Sequence, residues 1–194
     1  MSESVLDRDA VLSLFRESGA LLEGHFRLSS DLHSAGYLQC ALVLQHPRHA
    51  EALGRALAAE LEPLAPTVVL SPALGGLIIG HEVGRGLGAR AIFAERQDGA
   101  LTLRRGFSIG PSDRVVVIED VVTTGGSTRE TMRVAQAAGA TVVGAGAVID
   151  RSGGTPGLGV PFRALVTLTV ATYPPDACPL CAAGEPIVKP GSRG

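Results

Sequence analysis

The run Val115-Val116-Val117-Ile118-Glu119-Asp120-Val121-Val122-Thr123-Thr124-Gly125-Gly126-Ser127-Thr128 sets two adjacent carboxylates at the end of an apolar, β-branched segment. A loop of hydroxyls and glycines follows at once. Neighbouring carboxylates repel each other and need hydroxyls, water or a metal to satisfy them. Thr123, Thr124, Ser127 and Thr128 offer four hydroxyls, while Gly125 and Gly126 allow close approach of the backbone and unusual dihedrals. With a helix starting in this loop, its amides and partial positive charge converge on one small anion. The chemistry is that of a phosphate cradle beside a pair of acids. A helix capped by Thr or Ser after an ordinary turn is the plainer reading, and the acids directly upstream weigh against it.

Other segments carry further candidates. Ser71-Pro72-Ala73-Leu74-Gly75-Gly76 is a turn whose amides could face an anion, or a plain turn before a helix. Phe93-Ala94-Glu95-Arg96 runs toward Leu103-Arg104-Arg105-Gly106-Phe107, giving three arginines around a polar loop or a solvated hairpin. Val148-Ile149-Asp150-Arg151 ends a strand in a guanidinium fork suited to a carbonyl or carboxylate, or in a structural ion pair made by Asp150. Gly24-His25-Phe26-Arg27-Leu28-Ser29-Ser30-Asp31-Leu32-His33-Ser34 reads as a strand pair, in its bland form with Phe26 in the core and His25 and His33 exposed. Cys178-Pro179-Leu180-Cys181 has the spacing of half a zinc site, but four ligands are needed and Cys40 is the one cysteine left. A packed turn is the expectation there.

The elements that position these residues follow from periodicity. Val11, Leu14, Phe15, Leu21 and Leu22 predict a helix over residues 7 to 23 with Gly24 as its stop. Two short strands are expected between His25 and Cys40. Pro47 opens a helix carried by Ala50, Leu53, Leu57, Ala58 and Leu61. Residues 67–70 read as a short apolar strand, 77–87 as a helix, 90–94 as a strand and 97–106 as an exposed polar loop. Residues 114–118 read as a strand covered on both faces. A helix over 126–138, a strand over 141–149 and a late strand over 162–170 complete the pattern. Alternation of this kind predicts an α/β fold with a mainly parallel sheet flanked by helices. Residues beyond 173 hold five of the twelve prolines and read as an ordered tail or lid.

Composition narrows the classes. A chain of 194 residues, 45% hydrophobic and 19% charged, suits one compact domain, and its net charge of −2 supplies no basic field for nucleic acid. Lys189 is the one lysine among 17 basic residues, so an anion site must use guanidinium groups or backbone amides. A Walker A loop is thereby absent, and no G-x-G-x-x-G follows a strand. No apolar run approaches a membrane span, and the start MSESVLDRDA lacks the regions of a signal peptide. Three cysteines make no disulfide framework. A cytoplasmic protein is expected, with neither membrane nor nucleic acid as partner.

The segment from Val115 to Thr128 resembles the PRPP-binding signature of the type I phosphoribosyltransferases. The remaining segments, over roughly residues 20 to 155, are similar to the orotate phosphoribosyltransferases among them. The resemblance implies that family's fold, with a hood over residues 1–40, a PRPP-binding core over 41–170 and a tail over 171–194. It implies transfer of the 5-phosphoribosyl group from PRPP to orotate, giving orotidine 5-phosphate and pyrophosphate in pyrimidine (UMP) biosynthesis.

By the same resemblance, Glu119 and Asp120 hold the ribose hydroxyls while Thr123, Thr124, Gly125, Gly126, Ser127 and Thr128 bind the 5-phosphate. Ala73, Gly75 and Arg104 join them on PRPP, with Ala73 and Gly75 in the pyrophosphate loop. Arg96 and Arg105 act from a mobile catalytic loop, and Arg151, Thr123 and Phe26 meet orotate. Mg2+ is the implied cofactor, held mainly by substrate and not by direct protein ligation, and the implied assembly is a homodimer sharing the mobile loop. Where many members carry lysines or a histidine in the hood and loops, this chain has His33, Leu74 or Gly75, and arginines. Transfer to another base, or a PRPP-sensing regulator without turnover, are the other readings of the same motif.

Overall fold

The computed structural model describes residues 6–28 and 30–189. Ser29 of the hood segment and the two ends of the chain lie outside the described residues. In chain order the elements are α1 (Arg8–Glu17), β1 (Leu21–Arg27), β2 (His33–Leu38), α2 (Cys40–Leu44), α3 (Pro47–Leu61), β3 (Val68–Pro72), α4 (Gly76–Leu87), β4 (Arg90–Gln97) and β5 (Ala100–Leu103). They continue as β6 (Arg114–Val122), α5 (Gly126–Ala137), β7 (Thr141–Asp150), β8 (Phe162–Thr167), β9 (Thr172–Tyr173) and α6 (Pro179–Ala182).

Six strands form the main sheet in the order β5-β4-β3-β6-β7-β8, all parallel except β5, which returns antiparallel on β4. The chain steps outward from β3 to β4 and, later, outward the other way from β6 to β7. The order therefore reverses between β3 and β6, and an open α/β sheet leaves its binding crevice at the carboxyl ends of such a pair.

Both faces of β6 are buried, as its unbroken apolar run predicts. Val116 and Ile118 pack with Leu53, Leu57, Val69, Ile79 and Val83 on one side. Val115 and Val117 pack with Leu70, Met132 and Ala135 on the other. Helices α3 and α4 thus cover one face and α5 the opposite one. The mainly parallel sheet flanked by helices agrees with the expectation from sequence.

Some boundaries differ from the sequence reading. The first helix, begun by an Asp7 carboxylate that accepts from Ala10 N at 2.8 Å, stops at Glu17 and not at residue 23. Gly19 takes φ 67 and Ala20 N donates to Phe15 O at 2.8 Å, which closes the helix and frees Leu21 and Leu22 for β1. The expected polar loop over 97–106 is in part a hairpin, because Leu101 turns into the core beside Ile92 and Ala94. Helix α2 is an element the periodicity did not reveal.

A second, antiparallel sheet joins β1, β2 and β9. The tail therefore contributes a strand to the hood. Val188 also lies along β1, with Arg27 N donating to Val188 O at 2.9 Å and Val188 N to His25 O at 2.8 Å. Among the described residues no helix is long and apolar enough to cross a membrane.

Candidate active site

The two acids sit at the carboxyl end of β6, and strand alternation sends them to opposite faces of the sheet. Glu119 follows Val115 and Val117 toward α5, where it shares a hydrogen bond with the Ser127 side chain. Asp120 follows Val116 and Ile118 toward the turn after β3. There an added Cβ on Gly75 would lie 2.9 Å from Asp120 Oδ1, so a side chain at position 75 would occupy the acid's space. The same Oδ1 accepts from Val121 N at 2.8 Å. Behind it, the buried Cys40 thiol donates to Asp120 O at 3.9 Å, and burial first, then Asp120, pushes that thiol's pKa well up.

Burial also shifts both carboxyl groups. Glu119 is raised to about 7, by desolvation first and by the Asp120 charge, against the hydrogen bond with Ser127. Asp120 is raised as well, by desolvation opposed by backbone amides. Two carboxylates tuned upward in a crevice make it a candidate functional site in physical terms.

Next to them, Gly125 takes φ 72 and leads into α5, whose first turn has no side-chain cap. No side chain caps the amides of that turn, and amides at such a helix start can receive an anion. A Cβ on Gly125 would press on Arg129 Nη1 and Leu158 Cδ2 at 3.0 Å, which adds to the backbone reason for glycine. Arg129 latches the loop by donating to Thr124 O at 2.7 Å and to Pro156 O at 2.9 Å. Thr123, Thr124, Gly126 and Ser127 are exposed, whereas Thr128 is buried.

The turn after β3 faces this loop across the crevice. Ala73 N donates to Ala94 O at 2.7 Å, the Ala73–Leu74 peptide is cis, and Leu74 is 82% exposed. Gly76 starts α4 so close to β6 that an added Cβ would stand 2.8 Å from Ile118 O. The expected turn is therefore a built part of the crevice wall.

The arginines fall into two places. Arg96, on β4 beyond the level of Pro72, makes a two-pronged ion pair with Glu130 of α5 at 2.9 and 3.2 Å. The Leu101 amide donates to the same Glu130 at 2.9 Å. Leu103 pairs with Ala94, so Arg104 and Arg105 follow it back from the carboxyl edge. Both sit beside Glu95, Arg105 at 3.0 Å and Arg104 at 3.9 Å, and Arg105 stacks over Phe93 with 5.7 Å to the ring centroid.

At the end of β7, Arg151 N donates to Val122 O at 2.7 Å, which brings this residue beside the crevice. Among the described residues, the alternative of an Asp150 ion pair is not what forms. Asp150 is buried and accepts from Ser152 N, Ser152 Oγ and Gly154 N at 2.6 to 2.8 Å, shaping the loop that follows.

Phe26 is 6% exposed with its ring against Tyr37, so it supports the hood and shows almost no face to a base. The bland expectation that His25 and His33 are exposed is wrong, since both are buried. So is the expectation that the Cys178 and Cys181 pair lacks companions. Their side chains meet the two histidines, while Cys40 lies apart behind Asp120.

No protein-family model matches the chain. Among curated proteins it is 54% identical over 188 residues to the orotate phosphoribosyltransferase of Pelotomaculum thermopropionicum, covering 97% of this chain and 99% of the relative. It is 55% identical over 190 residues to that of Heliobacterium modesticaldum, covering 97% and 100%. The chain belongs to the orotate phosphoribosyltransferase family. It is a phosphoribosyltransferase enzyme on that ground.

Solved structures agree on the fold. The orotate phosphoribosyltransferase of Aeropyrum pernix superposes with a TM-score of 0.69 at 25% identity, over 81% of this chain and 93% of that one. That of Mycobacterium tuberculosis H37Rv, in complex with PRPP, gives 0.68 at 25% identity, over 84% and 96%.

Sequence reasoning missed the residues that hold the site in shape. Arg129 and Glu130 follow the loop directly in the chain, but only the packed structure shows which segments they latch. Gly75 was expected as an amide donor, and its spatial reason, the space taken by Asp120, comes from strands far apart in sequence.

Proposed function

We propose that this enzyme carries the 5-phosphoribosyl group of PRPP to N1 of orotate, as the names of its relatives suggest, giving orotidine 5-phosphate and pyrophosphate in pyrimidine biosynthesis. One observation carries the site assignment. Glu119 and Asp120 straddle β6 at the point where the sheet order reverses, between an anion loop on one side and the turn after β3 on the other.

The amides and hydroxyls of residues 123–128, Thr123, Thr124, Gly125, Gly126, Ser127 and Thr128, take the 5-phosphate. Glu119 and Asp120 accept hydrogen bonds from the ribose hydroxyls, which fixes C1 between the two walls of the crevice. Ala73 and Gly75 present the turn backbone to the pyrophosphate. Arg151 pairs with the carboxylate or a carbonyl of orotate, near Thr123.

As the C1 bond to pyrophosphate breaks, positive charge grows on the sugar and negative charge on the departing group. The fixed carboxylates of Glu119 and Asp120 favour the first. Arg96, Arg104 and Arg105 are assigned to the second, which requires Arg96 to leave Glu130 and the hairpin to close. Arg104 and Arg105 point back from their own chain's crevice edge, which supports a homodimer in which this hairpin serves the neighbouring subunit. Exposed Leu74 and Ile78 offer apolar surface for such a contact.

The donors at the crevice suit Mg2+, because Glu119, Asp120 and the nearby hydroxyls are hard oxygens. Bound there with PRPP, and held mainly by the substrate, the ion would neutralise the leaving pyrophosphate. The hood of residues 1–40 and the tail of residues 171–194 act together as the cover of the core over 41–170, with Phe26 supporting that cover from inside. A cytoplasmic location accords with the substrates.

The test is product formation from PRPP, orotate and Mg2+ with each omitted in turn. Orotidine 5-phosphate and pyrophosphate in equal amounts, dependent on all three, are expected. Turnover of a purine base in place of orotate would overturn the assignment of Arg151.

A further inference from the structure

The tail carries a cysteine pair that begins five residues after the end of its last short strand, and the hood carries two buried histidines, and the fold closes these four side chains on one point. His25 Nε2 lies 3.0 Å from His33 Nδ1, 3.6 Å from Cys178 Sγ and 3.7 Å from Cys181 Sγ, while Cys181 Sγ lies 3.2 Å from His33 Nδ1. All four ligand atoms fall within 4.8 Å of one another. Around a tetrahedral zinc with ordinary bond lengths the edges are about 3.3 Å between nitrogens, about 3.6 Å between nitrogen and sulfur and about 3.8 Å between sulfurs. The four separations of 3.0 to 3.7 Å lie close to those edges.

The hood is built to make this convergence. Glu23 pairs with Gly36 and Phe26 with Ser34, so β1 carries one residue more than β2 over this stretch. That bulge turns two successive side chains, His25 and Phe26, inward together. The orientation of the His25 ring is fixed as well. Its Nδ1 lies 2.9 Å from Glu185 O, a carbonyl that only accepts, so Nδ1 carries the proton and Nε2 presents its lone pair to the cluster. A carbonyl on the far nitrogen is the usual support of a metal-bound imidazole.

We propose that His25, His33, Cys178 and Cys181 form a structural Zn2+ site that fastens the tail to the hood, apart from the acids at the end of β6. Binding requires both thiols to ionise, releasing two protons to solvent, and joins Cys178 to His25, 153 positions apart in the chain. Zinc suits two thiolates and two imidazoles, and a closed set of four leaves no position for substrate. The site is one of stability and closure of the hood, not of chemistry.

The test is made on the full chain, purified without a metal-affinity tag and under reducing conditions. Elemental analysis should find about one zinc per chain, lowered at least about tenfold in Cys178→Ser and Cys181→Ser and retained in Cys40→Ser. Because a cysteine variant could fail to fold, Co2+ is also titrated into the chelator-stripped parent protein, with circular dichroism as the check on folding. Visible bands of tetrahedral cobalt with thiolate charge transfer, reached at one equivalent, support the site. A folded, reduced chain that takes up neither zinc nor cobalt overturns it, as does a Cys178–Cys181 disulfide found in place of metal.

Discussion

Asp120 Oδ1 stands 2.9 Å from where a Cβ on Gly75 would be, so the acid at the end of β6 and the turn after β3 divide a single space. Gly75 has φ −55, which any residue adopts, and its requirement is therefore for room and not for backbone freedom. Gly75→Ala should displace the Asp120 carboxylate. We expect kcat/KM for PRPP to fall on the order of tenfold to a hundredfold, with a change of only a few degrees in Tm. Unchanged kinetics would show that Asp120 tolerates displacement.

Glu119 supplies a pH signature. Its folded-state pKa of about 7 exceeds the ordinary value of 4.5, so the native chain holds a proton that the unfolded chain releases. This contribution is full below about pH 4.5 and is lost as pH rises through about 7, a span worth on the order of 3 kcal/mol. Asp120 is shifted in the same direction. Ligand-free Glu119→Gln should therefore lose less stability than the parent between pH 5 and pH 8 in denaturant titrations. Parallel stability curves for the two proteins would contradict the raised pKa.

Arg129 holds the loop of residues 123–128 from behind through Thr124 O and Pro156 O. Its removal should loosen the loop without touching PRPP. Arg129→Ala is expected to raise KM for PRPP roughly tenfold and to leave KM for orotate within about twofold. An equal rise in both would place its effect on the whole fold.

Glu130 clasps the β4–β5 hairpin through Arg96 and the Leu101 amide, and those same contacts hold its carboxyl below the usual range. In Glu130→Gln the ion pair is lost while the shape is kept. Amide hydrogen exchange over residues 97–104 should then quicken by about tenfold or more, with exchange in β6 unchanged. Unaltered exchange in the hairpin would show that the clasp does not hold it.

The sheet and its helices were legible because Val115, Val116, Val117 and Ile118 state their burial in an unbroken run, and because Pro47 and the Leu53 to Leu61 spacing mark a helix plainly. The acids and the loop were legible for the same local reason, lying within ten consecutive residues. What the sequence concealed depends on distant segments. Leu21 and Leu22 fit a helical spacing, and only the left-handed Gly19 assigns them to a strand. His25 and His33 have no zinc-like spacing, and the β1 bulge that aims one of them at Cys178 and Cys181 is a property of strand pairing. The Glu130 clasp likewise joins residues brought together by packing alone.

The central claim is that the 5-phosphate of PRPP rests on residues 123–128 with its ribose held by Glu119 and Asp120. A crystal structure of the protein with PRPP and Mg2+ tests this directly. The account expects the 5-phosphate on the amides of residues 123–128 and the ribose hydroxyls within hydrogen-bond reach of both acids. PRPP bound elsewhere, or bound with its 5-phosphate away from this loop, would contradict it.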